Sequence, residues 1–255
     1  MKFENIALVI GIVCPCILII CYIAVTAHVC RGSKDLWVIS QLLMLILSNI
    51  GALLTIAPDH ILIFDDKRTS IGQVWELAIG IALRDSFFGL AHYLLADKYR
   101  TIQETYTGKR KEKVKSQCRK VTHYILIFCN IFFPIFASVF VYLFALELYR
   151  DTQVNDWPIL TAISSSLVGF TQFGSGAILI TSVYKIKAFF KTKEDEESLD
   201  TKALYRHAVA FGLFLITDVA YYVMWPIYTV NYTNKKFFNW YLSVIIFWVI
   251  GSFVS

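Results

Sequence analysis

Residues 73–100 read QVWELAIGIALRDSFFGLAHYLLADKYR, and this stretch decides the fold. It is apolar enough to cross a bilayer, yet Arg84 and Asp85 stand side by side in its middle. A charge at the middle of a bilayer costs at least ~2.5–3.5 kcal/mol on insertion scales. The sequence therefore predicts that other membrane-spanning helices surround this one and bring polar groups to the same depth.

The composition is that of a membrane protein, because 57% of the 255 residues are hydrophobic and only 17% are charged. Soluble domains have nearer a quarter of their residues charged. The segments between the apolar stretches are too short to form a second, soluble domain. We therefore expect an integral, multi-pass protein of the plasma membrane or an endomembrane, with the lipid bilayer around it and no nucleic-acid partner.

Seven stretches are candidate membrane spans. At 1.5 Å rise per residue the first six are long enough to cross ~30 Å of hydrocarbon, and the seventh is only just of spanning length. They are residues 5–29, 36–57, 74–96, 121–146, 158–184, 208–230 and 238–253. The predicted fold is all-α, with a single seven-helix transmembrane domain over residues 1–255. The last stretch is still apolar at Ser255, so we expect the chain to be truncated at its C-terminus.

The orientation follows from the basic residues of the connections. The connections after the first, third and fifth stretches carry 17 lysines and arginines, against 6 at the N-terminus and in the other connections. The more basic side is the cytoplasmic one, which places the N-terminus outside and the C-terminus inside. Residues 98–120 and 185–207 are then candidate docking sites for a cytoplasmic signalling protein. The alternative for 98–120 is contact with the anionic inner leaflet.

Polar residues of several stretches fall at the depth of Arg84. They are Asn49, Asn130, Gln172 and Asp218, in the second, fourth, fifth and sixth stretches. Either Arg84 pairs with Asp218 and leaves Asp85 to amide partners, or Arg84 lies between both carboxylates. His92 follows Asp85 by seven residues and shares its helix face. Such a layer either binds a ligand, ion or proton or only locks the helices together.

Trp225 and Pro226 should bend the sixth helix near its outer end, because Pro226 cannot donate a hydrogen bond to the Tyr222 carbonyl. The bend would line an aromatic cavity that opens outward. The candidate ligand or ion residues are thus Arg84, Asp85, His92, Asn130, Gln172, Asp218, Tyr222 and Trp225.

The sequence lacks several patterns that mark enzymes and cofactor proteins. The five histidines include no pair at helical zinc spacing. There is no nucleotide-binding loop and no Gly-x-Ser-x-Gly. The last stretch also lacks a lysine for a retinal Schiff base. We therefore predict a protein that is not an enzyme and has no metal or cofactor.

Residues 97–102, DKYRTI, end the third stretch and resemble the Asp-Arg-Tyr-x-x-Ile signature of rhodopsin-like G-protein-coupled receptors, with Lys98 in place of arginine. Trp225-Pro226 is similar to the family's Trp-x-Pro, with one residue missing. Asn-Pro-x-x-Tyr is absent from the seventh stretch. The resemblance implies a receptor with a switch at Asp97, Lys98 and Tyr99, in which Asp97 holds Lys98 in a resting ion pair.

Three functions remain open from the sequence. The first is a receptor-like or sensory protein that binds a small molecule and signals through its basic cytoplasmic connections. The second is an ion- or proton-coupled transporter or channel that uses Arg84, Asp85 and Asp218. The third is a membrane scaffold in which the polar layer only assembles helices.

Overall fold

The computed structural model describes residues 3–32, 35–64, 71–106, 113–150, 156–191, 206, 220–227 and 230–231. The helices with printed bounds are α1 (Phe3–Arg31), α2 (Leu36–Phe64), α3 (Ile71–Tyr106), α4 (Lys113–Arg150) and α5 (Trp157–Lys191). Residues 220–227 are also helical. Within these described ranges no residue is in a strand, which confirms the all-helical prediction.

Residues suited to a helix N-terminus begin two of the helices. The Asp35 carboxylate accepts hydrogen bonds from the backbone N–H groups of Trp37 (2.9 Å) and Val38 (3.4 Å) at the start of α2. This is the standard way to satisfy the unpaired donors of a first helical turn. At α5, Pro158 occupies the first turn, where its missing N–H is not needed.

Four helices of the described part are long and apolar enough to cross a membrane. Their apolar segments are Val9–Arg31, Leu36–Thr55, Gln117–Glu147 and Trp157–Phe189. They agree with the first, second, fourth and fifth predicted stretches. The α3 helix is equally long but less apolar, because Arg84 and Asp85 fall in its middle. Residues 208–219 and the seventh stretch lie outside the described residues. The predicted truncation at the C-terminus also concerns residues outside them.

The α3 helix is the central helix of the described bundle, because it packs against α2, α4 and α5, whereas α1 packs against α2. Its buried side chains surround the axis and include Arg84 and Asp85. Residues of α1 such as Ile20 are largely exposed, as expected of a helix whose surface meets lipid. The expectation that the 73–100 stretch runs through the middle of a bundle is therefore confirmed.

Two of the predicted connections are partly helical. The α3 helix continues past residue 96 to Tyr106, and α4 begins at Lys113 rather than at 121. The α5 helix likewise continues past 184 to Lys191. Hydropathy marks the length that meets hydrocarbon, while backbone hydrogen bonding continues into water. Several basic residues of 98–120 and 185–207 thus stand on helix ends and not on loops.

The close approach of α2 to α3 depends on two glycines. A Cβ on Gly51 would lie 2.7 Å from the Gly80 carbonyl oxygen and 2.9 Å from the Arg84 Cα. A Cβ on Gly80 would lie 2.8 Å from the Gly51 oxygen. Small residues allow such backbone contact between membrane helices. This contact sets the position of the Arg84 backbone.

Candidate functional site

Arg84 and Asp85 form an ion pair within one helix. Arg84 Nε donates to Asp85 Oδ1 at 2.6 Å, and Nη2 donates to Oδ2 at 3.2 Å. Both residues are buried, with 7% and 5% of their surface exposed. Of the two arrangements that the sequence left open, this contact agrees with the one in which Arg84 lies between both carboxylates, although neighbouring residues on a helix point about 100° apart. The long arginine side chain overcomes this angle by folding back over its own helix.

A tyrosine from another part of the chain also contacts Arg84. Arg84 Nη2 also donates to the Tyr221 hydroxyl at 2.8 Å, and the guanidinium carbon lies 5.1 Å from the Tyr221 ring centroid. Tyr221 is itself buried. Burying an ion pair needs such additional hydrogen bonds to offset the loss of water. The predicted polar contact between the third and sixth stretches is therefore present, although through a tyrosine hydroxyl.

Tyr222 extends the contact to α5. Gln172 Nε2 donates to the Tyr222 hydroxyl at 3.0 Å, and the rings of Tyr221 and Tyr222 meet edge to face at 5.1 Å. Gly169, one turn before Gln172, makes room for Tyr222, since a Cβ there would lie 2.6 Å from the tyrosine Cβ. Gln172 Oε1 is buried and has no hydrogen-bond partner among the described residues.

We call these residues together the mid-helix cluster: Arg84, Asp85, Gln172, Tyr221 and Tyr222. The structure thus brings together four of the predicted ligand or ion residues and adds Tyr221. Trp225 is buried one turn further along the same helical segment. Asp218 lies outside the described residues, so its predicted pairing with Arg84 remains a prediction.

Asn130 and His92 have contacts of a different kind. The buried Asn130 amide donates to the Leu126 carbonyl at 2.8 Å, and its Oδ1 lies against Gly89 of α3. Asn130 therefore packs α4 onto α3. His92 Nδ1 lies 2.9 Å from the Phe88 carbonyl oxygen, and the two rings are 4.0 Å apart. The ring of His92 is thus held by the preceding turn of α3.

Ser48 was not identified from the sequence. Its hydroxyl donates to the Arg84 carbonyl oxygen at 3.0 Å, so α2 fixes the backbone that carries the guanidinium. Asn49 looked the better candidate by chemistry, but its amide donates to the Leu45 carbonyl of its own helix. Small residues three apart, Ser48 and Gly51, were the available signal for a helix contact.

A second group lies at the far end of α3, and we call it the charge network: Asp97, Thr101, Glu104, Arg119 and His123. Arg119 of α4 reaches Asp97 Oδ1 at 3.5 Å and the Thr101 hydroxyl at 2.5 Å, and it contacts Glu104 closely. His123 Nδ1 lies 3.5 Å from Asp97 Oδ2 and 2.8 Å from the Tyr93 hydroxyl. The network therefore joins α3 to α4.

The expected resting ion pair between Asp97 and Lys98 is not the contact that the structure shows. Lys98 Nζ lies 3.5 Å above the ring of Trp37 on α2, a cation–π contact. Because neighbours on a helix diverge by about 100°, Asp97 faces α4 while Lys98 faces α2. Lys98 also lacks the fork with which arginine binds a carboxylate.

Tyr99, the third residue of the predicted switch, packs against a buried cluster of Ala96, Leu179 and Val183. Burial raises the pKa of its hydroxyl above the ordinary tyrosine value. Tyr99 therefore contributes an apolar contact between α3 and α5. The three consecutive residues Asp97, Lys98 and Tyr99 face three different helices.

Within the described residues, no group of three histidine, cysteine or acidic side chains is arranged to hold a metal ion. The described fold and site define a helical protein with membrane-length apolar helices and a buried charge pair at its centre. Comparison of the chain with protein-family models, with curated proteins and with solved structures finds no match. The resemblance to rhodopsin-like receptors stays a prediction from residues 97–102 and 225–226.

Proposed function

We propose that the protein is a receptor-like sensor of seven membrane helices, with its N-terminus outside and its basic helix ends in the cytoplasm. One observation carries the proposal: α3 holds two interhelical polar layers. The mid-helix cluster joins it to segment 220–227, and the charge network joins it to α4. Arg84 and Asp97 are 13 residues apart, or ~20 Å along the helix. A movement of α3 at one layer would therefore reach the other.

The mid-helix cluster is the proposed ligand site. Gln172 Oε1 is buried there without a hydrogen-bond partner among the described residues. Buried polar atoms are normally satisfied, and a ligand is one way to satisfy them. We infer a small ligand with hydrogen-bond donors, bound beside the aromatic residues Tyr222 and Trp225.

The charge network is the proposed output. The side chains of Asp97 and Arg119 are 22% and 23% exposed, so the ion pair between them is weak and can rearrange at low cost. Rearrangement would change the surface presented by 98–120 and 185–207. A cytoplasmic signalling protein with acidic side chains would recognise that surface.

The test uses the full chain in lipid nanodiscs with a panel of heterotrimeric G proteins, whose nucleotide exchange is measured without added ligand. Asp97→Asn should raise basal exchange several-fold, because it removes the charge that Arg119 and His123 share. Asp156→Asn is the matched control, since it removes an exposed carboxylate at the start of α5, outside the charge network. Equal rates of nucleotide exchange with the wild type, Asp97→Asn and Asp156→Asn would count against signalling, provided that a reference receptor is active in the same assay.

Ion- or proton-coupled transport is the second candidate, because a buried charge pair is typical of ion pathways in membranes. It predicts flux into liposomes that Asp85→Asn abolishes. If neither flux nor exchange is found, and Arg84→Ala only prevents folding, the cluster is a scaffold for helix assembly.

A further inference from the structure

A cleft of about 330 Å³ opens between α3 and α5, near the charge network. Arg100 and Gln103 line it from α3, and Thr181, Ser182 and Lys185 line it from α5. Its volume lies at the lower end of the range for small-molecule sites, roughly 300–1,000 Å³. The cleft therefore offers two basic groups from separate helices, with hydroxyl and amide groups between them.

The basic groups of the cleft retain free hydrogen-bonding capacity. Arg100 donates from Nε to Glu104 at 3.2 Å, and its two Nη groups have no partner among the described residues. Lys185 has no ion pair or hydrogen bond there, and its side chain is exposed. Glu104 is shared with Arg119, which contacts it more closely. Among the described residues, the cleft thus has an excess of positive charge that the carboxylates beside it do not neutralise.

The position of the cleft favours a lipid over a soluble ion. It lies where the apolar segment Trp157–Phe189 of α5 approaches its end, and Ala177, Ile178 and Thr181 continue its wall toward the apolar part of the helix. Ala177, Thr181 and Lys185 recur every four residues and so share one helix face. A headgroup beside Lys185 would leave its acyl chain against Ala177. Basic pockets between membrane helices bind anionic headgroups in this manner.

We propose that this cleft binds the phosphate of an anionic lipid headgroup, with Arg100 and Lys185 as its two cations. The Nη groups of Arg100 bind the phosphate oxygens as a fork, and Lys185 adds a point charge. The Thr181 hydroxyl lies at the rim as an additional donor. This inference is independent of the proposed signalling role, because a receptor, a transporter and a scaffold could all hold such a lipid.

The experiment measures retained lipid by native mass spectrometry on the full chain in neutral detergent. The probes are dioctanoyl phosphatidic acid, dioctanoyl phosphatidylcholine and glycerol 3-phosphate. We expect phosphatidic acid to bind best. Lys185→Gln should weaken it about fivefold and the double variant with Arg100→Gln about 25-fold, at ~1 kcal/mol for each basic residue. Lys185→Arg should retain binding within about twofold, and thermal unfolding should show each variant folded.

Lys120→Gln is the matched control, because Lys120 is an exposed basic residue of α4 outside the cleft. It should change lipid retention less than about twofold if only the cleft binds. Equal retention of phosphatidylcholine, or equal loss in the Lys120 and Lys185 variants, would overturn the proposal. Glycerol 3-phosphate binding as tightly as phosphatidic acid would assign the cleft to a soluble phosphate ester. Binding of a pentaglutamate peptide without lipid retention would assign it to an acidic protein segment.

Discussion

The mid-helix cluster and the charge network contain the same chemistry, an arginine paired with carboxylates, in two different surroundings. Arg84 and Asp85 have side chains only 9% and 6% exposed, and they neutralise each other within one helix. Arg119 and Asp97 are 23% and 22% exposed and join two helices. Burial decides how strongly the loss of each pair would affect stability, since water and salt screen the Arg119–Asp97 pair and barely reach the Arg84–Asp85 pair.

The comparison also explains how α3 can carry charge through an apolar bundle. A pair formed between adjacent residues is already neutral before the helices assemble, so no partner helix has to supply the compensating charge. The Tyr221 hydroxyl adds a hydrogen bond to the Arg84 guanidinium from another part of the chain. The charge network has the opposite property, because its pairs exist only while α3 and α4 stay in register.

The largest expected effect is at Asp85. Asp85→Asn leaves the Arg84 guanidinium buried without its counter-charge, which we expect to lower the free energy of unfolding by ~3–5 kcal/mol. Chemical denaturation in mild detergent, followed by circular dichroism, measures this. The double variant Arg84→Met/Asp85→Asn should recover most of the loss. A double variant no more stable than Asp85→Asn would show that the two charges are not coupled.

The next effect tests the backbone contact that positions Arg84. Gly51→Ala would force a Cβ against Gly80 and Arg84, and overpacking of this kind costs ~1–3 kcal/mol. Gly174→Ala is the control, because its Cβ would meet nothing within 4 Å. That control should be neutral or stabilising by ~0.5–1 kcal/mol, since alanine favours a helix. Equal effects of the two variants in the same denaturation experiment would contradict the tight α2–α3 contact.

A smaller effect is expected at Tyr221. Tyr221→Phe keeps the ring but removes the hydroxyl that accepts from Arg84, so we expect a loss of ~1.5 kcal/mol. Tyr222→Phe removes the hydroxyl that accepts from the neutral Gln172 amide and should cost less, ~0.6 kcal/mol. The difference is measured as the shift in the midpoint of chemical denaturation between the two variants. The reverse order would mean that Gln172, and not Arg84, anchors segment 220–227.

The smallest effect is expected in the charge network. Asp97→Asn should lower stability by less than ~1 kcal/mol, because the side chains of its partners Arg119 and His123 are 23% and 30% exposed and so remain in contact with water. High salt should bring wild type and variant together, whereas Asp85→Asn should remain destabilising at any ionic strength. Thermal unfolding at two salt concentrations makes this comparison. A salt-independent loss at Asp97 would remove the distinction between the two regions.

The sequence was informative where a single helix carries the signal. Apolar length predicted α1, α2, α4 and α5, and the two charges at Arg84 and Asp85 predicted a buried central helix. It was less informative about partners. Tyr221 and Ser48 contact Arg84 through a hydroxyl, and hydroxyls are common in membrane helices, so neither stood out from its neighbours. Asn49 is the more polar residue, yet it turns to its own backbone.

The switch residues show the same limit. The motif at residues 97–102 drew attention to the end of α3, but its implied Asp97–Lys98 pair depends on side-chain directions that a motif does not contain. Arg119 and His123 come from α4, after a connection whose length does not determine which faces meet. Only the packing of α3 against α4 assigns Asp97 its partners.

The sequence by itself determined that the chain is helical and apolar, and that α3 must hide a charge pair, because hydropathy and charge are properties of single residues. The tertiary structure decided which groups satisfy that pair and which cations line the α3–α5 cleft. Those contacts depend on helix rotation and on close approach at residues such as Gly51. Small differences in packing free energy fix both, and no local pattern records them.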